Sequence, residues 1–87
     1  MNGTSVTNVI KVKYLHATDK KSARVKIISE RFKQYILIGY HEDRFAGCEG
    51  ITDRAIIHLQ LLGFNILSIG EGNNHMYLIT DTFKPLK

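Results

Sequence analysis

Tryptophan is absent from these 87 residues, and cysteine and proline occur once each, as Cys48 and Pro85. A single thiol excludes an intramolecular disulfide, so the expected compartment is the reducing cytoplasm. With its one proline close to the end, the chain has no proline break inside any strand or helix pattern. No apolar run approaches the roughly 18 residues that suggest a membrane span. The opening MNGTSVTN lacks the apolar stretch of a signal peptide, and residues 1–8 are expected to form a loose tail. Acidic residues are also scarce early on. Residues 9–40 hold eight basic side chains against two acids, a balance of +6, whereas residues 41–87 hold four against six, a balance of −2.

What is present is an ordinary globular composition, 44% hydrophobic and 23% charged, which excludes general disorder. The length suits one domain, expected over residues 9–84, with residues 85–87 as a C-terminal tail. Residues 9–16, VIKVKYLH, alternate between faces, with Ile10, Val12 and Tyr14 on one and Lys11, Lys13 and Leu15 on the other. ATDKKS then reads as a turn, and ARVKIIS (23–29) alternates again. KQYILIGY (33–40) is rich in β-branched and aromatic residues, as a third strand should be.

After a polar loop, HEDRFAGCEG, Thr52 offers an N-cap oxygen and Asp53 an acid in the first turn, which predicts a helix over 53–62. Gly63 stands where a left-handed terminating glycine is wanted. Two strands, 65–70 and 75–82, flank the turn EGNN. The expected fold class is α+β, with elements in the order β-β-β-α-β-β: a five-stranded antiparallel sheet with one helix packed on one face. On that helix Ala55, Ile56, Leu59 and Leu62 form the core stripe. Ile57 and Leu61 fall together on the far side, to be covered by the 42–50 loop or by a second copy of the chain.

Several segments resemble a group of short uncharacterised proteins encoded by bacteriophages, plasmids and genomic islands, which open K-Y-L-x-A-T-[ND]-x-[KR]-G-S-R-[IV]-K. The matching residues are Lys13-Tyr14-Leu15, Ala17-Thr18-Asp19, and Lys21 followed by Arg24-Val25-Lys26. Leu62-Gly63-Phe64 is similar to the L-G-[WF] that ends that group's helix. Gly70-Glu71-Gly72 with Tyr77-Leu78-Ile79 is similar to its glycine-rich turn and last strand. Ser22-Ala23 stands in place of the group's Gly-Ser, and the loop holding Cys48 departs from its pattern. The resemblance implies a phage or mobile-element origin and an accessory role, and carries no activity with it.

The candidate site follows from strand parity. If the apolar parity packs under the helix, Lys11, Lys13, Arg24 and Lys26 emerge on the opposite face, joined by Lys33 and Tyr35, with Lys20 and Lys21 in the adjoining loop. Cations for phosphates and a ring for a base are the ingredients of nucleic-acid sites on sheets. The same residues also suit a plain solvated face on which lysines discourage edge pairing. The leading expectation is phosphate-driven, non-specific contact with DNA or RNA. The alternative is a protein-binding accessory factor or inhibitor of a host machine, possibly a homodimer through Ile57 and Leu61. The helix carries only Arg54 and makes a poor major-groove reader. His41, Asp43, Cys48 and Glu49 share a loop, but their spacing matches no metal or thiol-enzyme pattern, so neither catalysis nor a cofactor is expected.

Overall fold

The computed structural model describes residues 7–87. The alternating segments form five strands, β1 (Asn8–Leu15), β2 (Arg24–Ser29), β3 (Gln34–Gly39), β4 (Ile66–Gly72) and β5 (His75–Thr80). One α-helix, α1 (Ile51–Leu61), stands between β3 and β4, preceded by a single 3-10 turn at Asp43–Phe45. The fold is α+β. All neighbours in the sheet are antiparallel, in the order β3-β2-β1-β5-β4. The first three strands form a meander, and after the helix the chain returns to pair β5 with the free edge of β1. That makes β1 the central strand.

Register sorts the side chains onto two faces. On one face Val12 lies opposite Ile27, which lies opposite Ile36, while Ile10 faces Leu78. The helix covers this face over β1 and β2, and Ala55 and Leu59 are fully buried against it. Phe45 from the loop and Phe64 after the helix complete the core cluster. Each Ile or Leu buried here is worth about 1.5–3 kcal/mol, so the cluster carries most of the fold's stability.

The helix begins earlier than its capping signals predict. Gly50 is the N-cap, in extended backbone without a side-chain cap, and Thr52 lies inside the first turn. Tertiary contacts set this start. The Arg54 side chain is buried; its Nε donates to the Tyr40 carbonyl at 2.7 Å and its Nη1 to the Gly50 carbonyl at 2.8 Å. The guanidinium also stacks over the Tyr40 ring at 3.7 Å. Ile51 packs against the core, which draws the helix start back by two residues. The C-terminal end is as the sequence predicts. Gly63 adopts φ 94°, its N–H donates to the Gln60 carbonyl, and the Phe64 N–H donates to the Leu59 carbonyl. These two bonds make a Schellman motif, with Phe64 packing beside Leu59 in the core.

The inner bounds of the expected tails shift. Of residues 1–8, the first six lie outside the described residues, while Asn8 is buried in β1. Leu86 is buried in the core cluster. The backbone N–H groups of Leu86 and Lys87 both donate to the Gln34 Oε1, at 2.9 and 3.2 Å, which ties the end of the chain to β3. Within the described residues no helix is long and apolar enough to cross a membrane.

Candidate nucleic-acid interface

The sheet face turned away from α1 is built from rows that the register defines. One row runs Tyr35, Ile28, Lys11, Tyr77, Gly70 across all five strands. The next holds Leu37, Lys26 and Lys13, and the one beyond it Gly39, Arg24 and Leu15. All four strand cations, Lys11, Lys13, Arg24 and Lys26, therefore lie on this open face, because each has the parity opposite to a buried Val or Ile. Tyr35, Leu37 and Val9 on the same face are among the most exposed large side chains of the described residues.

The cations are not equivalent. The Lys11 ammonium lies 2.6 Å from the Glu30 carboxylate. That contact holds the Lys11 pKa above its ordinary value and the Glu30 pKa below its own. Lys13 and Lys26, in contrast, are direct cross-strand partners. Like charges placed so, with Cβ atoms roughly 5 Å apart, repel each other. Neither forms an ion pair among the described residues, and neither does Arg24. Arg24 instead donates from Nε to the Ser22 carbonyl at 3.2 Å. Lys26 places its ammonium 4.4 Å from the centre of the Tyr35 ring.

Lys20 and Lys21 are exposed in the β1–β2 connection, beyond the Arg24 end of the face. A short turn orders that connection: the Thr18 N–H donates to the Lys21 carbonyl, and the Lys21 N–H to the Thr18 hydroxyl. Lys33 does not join β3. It sits in the turn 30–33 with φ 54°, so its side chain leaves the strand's alternation. The two helix residues expected on the far side are separated. Ile57 is half-buried against the core cluster, whereas Leu61 is 71% exposed.

Tyr77 is a residue of the open face that strand parity alone did not bring in. Its place on the open face depends on β5 pairing with β1, a long-range register that no local pattern encodes. The ring leans over β4 at Gly72, where an added Cβ would lie 2.7 Å from Tyr77 Cε2 and 2.6 Å from His75 Nε2. The His75 and Tyr77 rings meet edge to face at 4.7 Å. Next to this pair a cleft of about 490 Å³ opens, lined by Val9, Lys11, Glu30, Arg31 and Tyr77 among others.

The loop with His41, Asp43, Cys48 and Glu49 lines a separate hollow with Arg54 and Phe45. Among the described residues no three His, Cys, Asp or Glu side chains converge as a metal site would need. What the two sheet faces define is a single-helix antiparallel α+β protein with a basic, ring-bearing open face. No protein-family model, curated protein or solved structure matches the chain.

Proposed function

We propose that this protein binds nucleic acid through the open face of its sheet, contacting phosphates and carrying no chemistry of its own. The carrying observation is the Lys13–Lys26 cross-strand pair, one row from Arg24, without a carboxylate partner among the described residues. A solvated face ordinarily mixes both signs of charge. Two ammonium groups placed directly opposite each other cost stability until an anion lies between them. A nucleic-acid backbone supplies anions at regular spacing, and Lys20 and Lys21 extend the positive track past the end of the sheet. Without a helix fit for the major groove, recognition is of the backbone and low in sequence specificity. Such a binding role suits the accessory function that the resemblance to phage and mobile-element proteins implies.

A gel shift with mixed-sequence oligonucleotides at two salt concentrations tests the reading. Binding should weaken steeply with salt, and Lys13→Ala/Lys26→Ala should weaken it further at low salt. If the double variant binds as well as wild type, the sheet face is not the site. If affinity is indifferent to salt, phosphates are not what is bound.

A further inference from the structure

We infer that the open face takes nucleic acid in single-stranded form, seating bases on Tyr35 and Tyr77 while Lys13 and Lys26 hold the adjoining phosphates; this rests on the reading above. The register puts both tyrosines in one row, on β3 and β5, with β2 and β1 between them. Three strand spacings separate the two backbone positions by roughly 14 Å, so the tyrosines serve two different bases. The lysine row lies two residues along the strands, roughly 7 Å away, and runs parallel to the tyrosine row. Stacking surface and charge are thus laid side by side, as a single strand offers its bases on one side and its phosphates on the other.

Three further observations favour a single strand over a duplex. The first is width. Five strands span roughly 19 Å, whereas the major groove is about 12 Å wide and admits a helix or a two-stranded ribbon, so this sheet meets a duplex only at its phosphate rim. The second is the apolar area beside the cations. Val9 is 44% exposed, Tyr35 51% and Leu37 46%, and a phosphate rim leaves such surface uncovered while unstacked bases cover it. The third is the absence of a side chain at Gly72, which gives the Tyr77 ring room to lie back over β4. At Tyr35 the Lys26 ammonium lies 4.4 Å and the Lys87 ammonium 5.9 Å from the ring centre. On binding both exchange the ring for phosphates and leave it to a base.

Fluorescence anisotropy with one labelled mixed-sequence oligonucleotide, as a single strand and as a duplex, decides the matter at one low salt concentration. The single strand should bind at least tenfold more tightly. Tyr35→Ala should lower single-strand affinity about fivefold to a hundredfold, the usual worth of one stacked base. It should leave duplex affinity unchanged, and Tyr35→Phe should restore the single-strand value. Tyr35 is exposed on an edge strand, and circular dichroism of Tyr35→Ala checks that the fold is intact. A duplex bound as tightly as the single strand, or a Tyr35→Ala variant that binds single strands like wild type, overturns the inference while nucleic-acid binding itself stands. If neither form binds, both readings fall.

Discussion

Replacing Glu30 by glutamine removes the carboxylate that holds the Lys11 ammonium at 2.6 Å and frees that cation on the open face. In the wild type three strand cations are free of ion pairs among the described residues, namely Lys13, Arg24 and Lys26. For single strands each neutralised phosphate contributes about −0.7 to the slope of log affinity against log salt. The three strand contacts therefore account for about −2 of the slope, to which Lys20 and Lys21 add, and a released Lys11 steepens it by about a further 0.7. Affinity at low salt should rise with it, so Glu30→Gln is a substitution that improves binding. Anisotropy titrations across a range of sodium chloride read both quantities. Adding Lys11→Ala to Glu30→Gln should return the slope to the wild-type value. A slope that stays put in Glu30→Gln, or stays steep in the double variant, would refute the assignment of Lys11 to the binding face.

Three further outcomes concern the scaffold. Gly63→Ala forces φ 94° on a residue with a Cβ and pushes that carbon to 2.9 Å from the Lys84 ammonium, which bonds the Leu62 carbonyl. It should cost about 1–2 kcal/mol, seen as a fall in Tm of at least about 4 °C. His58 has its pKa lowered from 6.5, mainly by burial and secondarily by nearby Arg44. The unfolded chain therefore takes up that proton first, and stability falls as the pH drops below about 6.5. Urea midpoints at about pH 7.5 and 5.5 should differ more for wild type than for His58→Gln. Ile57→Asp places a charge against the core and should cost about 2 kcal/mol or more, whereas Leu61→Asp should stay within about 0.5 kcal/mol of wild type by thermal melting.

Much of this architecture is legible in local pattern. The period-two alternation of VIKVKYLH and ARVKIIS assigns the buried and open faces of β1 and β2 correctly, because a one-residue slip would expose Ile10, Val12, Val25 and Ile27 together. Gly63 marks the end of α1 because its φ is one that other residues avoid. The helix start was not legible. Thr52 has the right chemistry for a cap, but the buried Arg54 and the packing of Ile51 override it. Lys33 escapes a parity argument because a positive φ is uncommon for lysine, and the sequence gives no warning of it. The place of Tyr77, the burial of Leu86 and the bulge between Ile66 and Ser68 all depend on partners distant in sequence.

Arg54 carries one more consequence. By gripping the carbonyls of Tyr40 and Gly50 with a single side chain, it fastens both ends of the excursion between β3 and α1 to one rigid post. Phe45 anchors the first half of that excursion, but the stretch from Ala46 to Glu49 hangs from the post and lies largely outside the core. Since lengthening a closed loop is entropically inexpensive, a tag or reporter peptide grafted between the exposed Ala46 and Gly47 leaves the sheet's opposite surface, and whatever lies on it, undisturbed.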